Sequence, residues 1–235
     1  MNKLKQVVLL AGGRGTRMRE LTESLPKPMV PIGGKPVLEH LIEIFSLFGD
    51  FEFLICSGYM GNLIESHFKN RKNVKVVDTG LDTPTGGRLL NISEQLEDNF
   101  IVTYGDGLAN VRIDELINFH FEHNEIGTLT STNPTSKFGL IEFDSNFKVT
   151  KFVEKPKLTN NFVNIGFMVF QNKFIEYLNN DTPLERYPLV QLSKDKQLRT
   201  YLHHGYFEPM DTYREYLNLN SMWEKGETPW LQYEK

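Results

Sequence analysis

LLAGGRGTRMRELTESLPKPMVPI, residues 9–32, closes an aliphatic run with three glycines and then adds basic residues and a Pro-Lys-Pro step. The run over 6–10 reads as a strand buried on both faces. Glycines directly behind such a strand let backbone N–H groups converge with no side chain in the way, and those donors bind phosphate oxygens. The loop falls at the carboxyl edge of the sheet, where open α/β folds take ligands. Two familiar phosphate motifs are excluded by spacing. A Walker loop needs GxxxxGK[ST], which Gly12 and Gly13 do not begin, and a dinucleotide fingerprint from Gly13 needs glycine or alanine where Met18 stands. The loop's charge comes from Arg14 and Arg17, and then from Lys27, whose backbone Pro26 and Pro28 restrict on both sides. A lysine so fixed can present a point charge to a polyphosphate. Read without that ligand, the same residues are a solvated polar loop.

Beyond this stretch, 36–48 carries apolar residues at helical spacing and 51–56 is a second short buried strand. A short helix over 63–68, strands over 74–77 and 100–104, and a helix over 87–96 continue the alternation. Strands alternating with helices predict an α/β fold: a Rossmann-like, mixed but mostly parallel sheet with helices on both faces. After residue 127 the texture changes, because GTLTST, FGLIEFD, KVTKFVEKP and FVNIGFMVF are strand-like and FDSNFK reads as a hairpin turn. A mixed or antiparallel portion is expected there on the same sheet. A closing helix runs from Asp211-Thr212 through Trp223, with Tyr213, Tyr216, Leu217 and Leu219 turned inward. The whole chain, 1–235, is expected to form one domain, with a nucleotide-binding part over about 1–126, an acceptor-binding part over about 127–210 and a closing helix and tail over about 211–235.

Composition agrees with a globular enzyme-sized domain: 235 residues, 40% hydrophobic and 24% charged. A net charge of −4 supplies no basic field for nucleic acid, which is therefore not an expected partner. The apolar run near the start is too short for a membrane span or a signal-peptide core. One cysteine, Cys56, excludes an internal disulfide and fits a reducing compartment, so the cytoplasm is expected.

Carboxylates then enter at strand ends. TYGDG, residues 103–107, sets Asp106 between two glycines with room for a metal beside it. Taken alone, Asp106 is equally a tight-turn aspartate and Asp211 of EPMDT a helix N-cap. Together with a basic polyphosphate loop they describe a site for Mg²⁺ and a nucleotide, with hard oxygen ligands completed by phosphate and water. FVEKP, 152–156, adds Glu154 and Lys155, either a solvated pair or a second phosphate contact. Cys56 reads as core, and neither His120 with His123 nor His203 with His204 has a third ligand at zinc spacing. The phenylalanine-rich stretches 51–53, 119–121 and 162–170 read as core or subunit contact.

LLAGGRGTRM, PKPM, IGGKPVLEH, TYGDG, VEKP and the closing helix together resemble the sugar-nucleotide pyrophosphorylases, a nucleotidyltransferase family, over nearly the whole chain. VDTGLDTPTGGRLL at 77–90 and GYFEPMDTYREYLNLNSMWEKGETPW at 205–230 resemble its glucose-1-phosphate cytidylyltransferase branch more narrowly. The resemblance implies that Leu10, Ala11, Gly12, Gly13, Arg14, Gly15, Thr16 and Arg17 hold the nucleotide. It implies contacts from Lys27, Thr83, Arg88 and Gly105 as well, with Gly86 and Gly87 of TPTGGR letting backbone approach the pyrimidine. It gives Asp106 and Asp211 to Mg²⁺ and Glu154, Lys155 and Asn164 to the sugar phosphate. Arg17, Lys27, Asp106, Lys155 and Asp211 are then the catalytic set.

The implied reaction joins CTP to a sugar 1-phosphate, glucose 1-phosphate first, and releases pyrophosphate. The alternatives are another phosphorylated sugar, polyol or surface-polymer precursor as acceptor, or a binding module without catalysis. The two substrates are the partners, with a homo-oligomer expected and no membrane. KNRKN, 69–73, is shorter than the corresponding connection of the glucose enzymes, which is expected to open the acceptor side.

Overall fold

A computed structural model describes residues 4–233; the basic start 1–3 and the tail's last two residues lie outside them. Five-residue β1 (Gln6–Leu10) is buried throughout, as its unbroken aliphatic run requires. It lies mid-sheet between β2 (Glu52–Ser57) and β4 (Asn99–Tyr104), parallel to both, and β2 pairs in parallel with β3 (Val74–Asp78).

The second half adds β5 (Gly127–Thr132), β6 (Val163–Asn164), β7 (Met168–Gln171) and β8 (Leu198–Leu202) to the same sheet. Its order is β6-β5-β7-β4-β1-β2-β3, with β8 also on β5. Strand β7 runs antiparallel to β4 and β5, whereas β8 runs parallel to β5, so the added portion is mixed as expected. FGLIEFD and KVTKFVEKP depart from expectation. Their strands, Leu140–Phe143 and Val149–Val153, pair only with each other, in an exposed ribbon off the sheet. No face of that ribbon alternates into a core, so Phe143, Phe147 and Phe152 stand in solvent.

Helices cover both faces. On one, α1 (Val37–Ser46) packs Leu38, Leu41 and Phe45 with Val7 and Leu9 of β1, alongside α2 (Gly61–Phe68). On the other, α3 (Thr85–Asn91) brings Leu89 against Val8 and Leu10, and α5 (Tyr187–Lys194) adds Leu189 and Leu192. The helix expected over 87–96 is thus earlier and shorter, ending in a separate 3₁₀ turn at Ser93–Gln95. Helix α4 (Ile113–Glu122) flanks the first core, and α5 had no sequence-based expectation.

Helix α6 (Tyr213–Glu224) closes the chain against the turn at 31–36. Trp223 lies on Gly33, whose φ of +58° and lack of Cβ both suit the contact, since a Cβ there would meet the indole at 2.2 Å. His40 of α1 donates from Nε2 to the Ile32 carbonyl and stands edge-on to Trp223 and the fully buried Trp230. Tyr216 and Leu219 pack inward, but Tyr213 and Leu217 are exposed, because the apolar stripe of this helix is narrow.

The 69–73 connection tightens into two successive turns and joins β3 at the edge where β2 begins, with Asn73 donating to the Phe51 carbonyl. A helix returning to a parallel strand arrives at the amino edge, opposite the glycine loop. Its shortness therefore does not widen the acceptor side, contrary to expectation.

Candidate active site

Leu10 and Tyr104 end their strands side by side, and the Gly105 amide donates to the Leu10 carbonyl at 3.0 Å. A cleft of about 410 Å³ opens above them, floored by Leu10, Ala11, Gly12 and Gly13, with Gly15, Thr16 and Arg17 continuing the wall. Gly15 sits at φ +63° over Lys27, so close that an added Cβ would come within 2.9 Å of the lysine's own. Lys27 begins a 3₁₀ turn fixed by Pro26 and Pro28, and its side chain is 10% exposed. The ammonium donates to Asp106 Oδ2 at 2.5 Å and to Asp211 Oδ1 at 2.6 Å. Arg17 Nη1 donates to Asp211 Oδ2 at 2.8 Å.

Two residues far apart in sequence meet here because Gly107–Ala109 and Phe207–Pro209 pair antiparallel, Gly107 opposite Pro209, and the Met210 amide donates to the Asp106 carbonyl. Asp211 is not the cap of the helix behind it. Thr212 caps α6, accepting from the Glu215 amide, while Glu215 Oε2 accepts from the amides of Thr212 and Asp211 at 2.8 and 2.6 Å. That leaves the Asp211 carboxylate to Lys27 and Arg17. Partial burial pushes this carboxyl up, but hydrogen bonds and charge from Lys27, then Arg17, hold it below the ordinary range. Thr212→Ala should cost about 1 kcal/mol, a fall in Tm of roughly 2–4 °C by thermal melting.

Arg88 lines the cleft without offering it a free donor. Its guanidinium donates to the carbonyls of Gly12, Ser57, Gly80 and Leu81 and to Thr79 Oγ1. It is a buried brace that ties the glycine loop to the 79–82 loop, and a Cβ on Gly12 would overlap it at 2.0 Å. Gly86 and Gly87, expected to let backbone approach the pyrimidine, do not line the cleft. A Cβ on either would strike the carbonyls of Thr182 or Asn180, so their smallness serves packing of α3 against that segment.

Arg14 lies at the rim, paired with Asp82 at 3.1 Å outside the main cleft. Glu154 and Lys155 sit after the exposed ribbon, 3.7 Å from each other and absent from the cleft wall; Lys155 has φ +46°. Asn164 lines a neighbouring pocket of about 420 Å³ that meets the cleft at Glu185. Thr83, Gly105, Asp106 and Asp211 do line the cleft. Cys56 is fully buried and its thiol pushed up to about 12, so it supplies no nucleophile. His120 and His123 both meet Thr128 Oγ1 at 2.8 Å, away from the cleft.

Five lining residues, Pro84, Thr85, Tyr104, Pro183 and Glu185, were not singled out by sequence. Tyr104 was within reach, since it stands directly before Gly105-Asp106. Glu185 lies in a polar stretch, NNDTPLERYP, with no spacing that points to a ligand.

The glucose-1-phosphate cytidylyltransferase of Salmonella typhi is 39% identical over 97% of this chain and 100% of its own length. The probable glucose-1-phosphate cytidylyltransferase of Bacillus subtilis (strain 168) is 34% identical over 96% and 98%. Among solved structures, HddC from Yersinia pseudotuberculosis superposes with a TM-score of 0.72 at 24% identity, covering 94% of this chain and 100% of its own. An apo UDP-glucose pyrophosphorylase gives 0.73 at 18% identity over 96% and 100%. The nucleotidyl transferase profile matches residues 6–212, from the first strand to the cap of the closing helix, and the chain belongs to that family.

Proposed function

We propose that the chain transfers a cytidylyl group from CTP to glucose 1-phosphate, forming CDP-glucose and pyrophosphate. The observation that carries this reading is the chain-long identity to a glucose-1-phosphate cytidylyltransferase, here with Lys27, Asp106 and Asp211 gathered at the end of the glycine loop. A sugar-phosphate oxygen attacks the α-phosphorus as the bond to the leaving pyrophosphate breaks in line, so no protein nucleophile is required. Both reactants are anions, and the work is to align them and offset their charge. Loop amides and Lys27 face the triphosphate, with Arg17 beside them. Lys155, with Glu154 and Asn164, holds the acceptor; the exposed arm that carries Lys155 must then approach the cleft.

A divalent ion fits the donor set. Two carboxylates already converge on one cation, the Lys27 ammonium, and they are hard oxygen donors. Among the described residues no three His, Cys, Asp or Glu side chains form a metal cage, which suits Mg²⁺ shared with substrate phosphates. Asp106 and Asp211 would hold it, and when bound it would offset charge on the phosphates. Lys27 would then release the carboxylates and turn to the nucleotide.

We assign the nucleotide mainly to about 1–126, the acceptor mainly to about 127–210 and closure to the remainder, with Glu185 of the second part also lining the nucleotide cleft. Among the described residues no helix is long and apolar enough to cross a membrane; a single cysteine, Cys56, supports a reducing compartment, the cytoplasm. The exposed apolar side chains of the 138–153 arm support a homo-oligomer. Pyrophosphate release from CTP, UTP, dTTP, ATP and GTP, each with glucose 1-phosphate, tests the reaction. CTP should give the highest kcat/KM; efficient use of UTP or dTTP over CTP would sink the cytidylyl assignment. CTP binding without turnover would move the proposal to another acceptor.

A further inference from the structure

We infer that Glu185 reads the 4-amino group of the pyrimidine and sets the preference for cytosine over uracil nucleotides. This rests on the nucleotide lying in the cleft as proposed above. Three carboxylates line that cleft, and two of them, Asp106 and Asp211, meet the Lys27 ammonium. Glu185 makes no ion pair among the described residues. Its carboxylate is instead fixed by neutral donors from two elements: the Tyr104 hydroxyl donates to Oε1 at 2.5 Å and the Thr85 hydroxyl to Oε2 at 3.1 Å. Thr85 Oγ1 accepts in turn from the Leu184 amide at 2.9 Å, which fixes the direction of the relay. Each carboxylate oxygen accepts more than one hydrogen bond, so acceptor capacity remains for a ligand.

An unpaired anion on the wall of a triphosphate site repels its ligand unless the ligand brings an N–H or O–H donor to it. The wall offers no competing cation there, because the Arg88 guanidinium is engaged by backbone carbonyls and Thr79. With the phosphates at the glycine loop and Lys27, the donors left on a nucleoside triphosphate are ribose hydroxyls and the base amino group. A carboxylate can also accept from a ribose hydroxyl, but the ribose is common to CTP and UTP and cannot set a preference between them. The pyrimidine 4-position can: cytosine carries an amino donor where uracil carries a carbonyl acceptor, and a carboxylate suits the first and opposes the second.

Steady-state turnover and calorimetric binding of CTP and UTP to wild type and Glu185→Gln provide the test. Glutamine keeps the shape and can turn an amide N–H toward the uracil carbonyl. The ratio of kcat/KM for CTP to that for UTP should collapse by about tenfold to a hundredfold, mostly through loss on CTP. Tyr104→Phe, which leaves Glu185 in place but removes one anchor, should shift the ratio in the same direction by less, and it serves if Glu185→Gln fails to fold. A parallel fall for CTP and UTP, no change in their ratio, or a rise confined to the KM of glucose 1-phosphate would each overturn the assignment. If wild type binds CTP over UTP and the substitution abolishes that preference, yet no sugar phosphate is turned over, Glu185 keeps its role and the transferase reading falls.

Discussion

Lys27→Ala should lower kcat/KM with CTP on the order of a thousandfold and leave the protein destabilised at neutral pH. The two effects share one cause. Lys27 is the cation on which Asp106 and Asp211 converge, at 2.5 and 2.6 Å, and among the described residues its removal leaves Asp106 with no cation and Asp211 with Arg17 alone. Two carboxylates facing one another in a partly buried cleft repel, whereas protonation of one removes the repulsion. The loss of Tm should therefore shrink on acidification, and a thermal-melt series from pH 8 to pH 4 reads it. Activity does not return with that stability, because a point charge toward the polyphosphate is missing whatever the pH. Added Mg²⁺ should raise the Tm of the alanine variant by more than that of wild type, since in the variant no ammonium contests the carboxylates. Equal shifts would mean that the two aspartates do not hold the ion. A change confined to the KM of glucose 1-phosphate would place Lys27 on the wrong substrate. Lys155→Ala, by contrast, should raise that KM and spare CTP.

The parallel half of the fold was legible because period and spacing are local properties. The aliphatic run over 6–10 must be buried on both faces, and the glycines behind it can only be a turn at the sheet edge. What escaped were properties set by tertiary contact. TPTGGR reads as a loop that lets backbone near a base, yet its glycines are small to admit the 180–182 carbonyls and its arginine braces the loop of Gly12. Nothing in a run of residues tells a free guanidinium from one already ringed by carbonyls. The exposed ribbon misled for a related reason: Leu140–Phe143 and Val149–Val153 carry strand propensity, but propensity does not say which sheet a strand joins. Asp211 shows the opposite case. Its ambiguity between cap and ligand was real in the sequence, and the neighbouring Thr212-Glu215 capping box removes the cap reading by satisfying the helix without it.

Asp106→Asn and Asp211→Asn should each lower kcat by about a hundredfold or more, but through distinguishable routes. Asp106 lies on the turn between Tyr104 and Gly107, held by backbone pairing, and its carboxylate touches Lys27 alone among the described cations. The amide keeps the shape, so Asp106→Asn should fold with near-normal Tm while Mg²⁺ dependence weakens, a titration showing a higher Mg²⁺ concentration for half-maximal rate. Asp211 carries in addition a carboxyl held below its unfolded value by Lys27 and Arg17. A lowered folded-state value means that its contribution to stability is present above about pH 4, the unfolded range, and drains away as pH falls through the folded value. Asp211→Asn should accordingly lose stability at neutral pH and show a flatter acid limb than wild type, whereas Asp106→Asn need not. Urea melts at pH 7 and pH 3 compare the two directly. Rates unaffected by chelation with EDTA in wild type, together with normal turnover in either asparagine variant, would remove the ion and leave Lys27 and Arg17 as the site's only charge-offsetting groups.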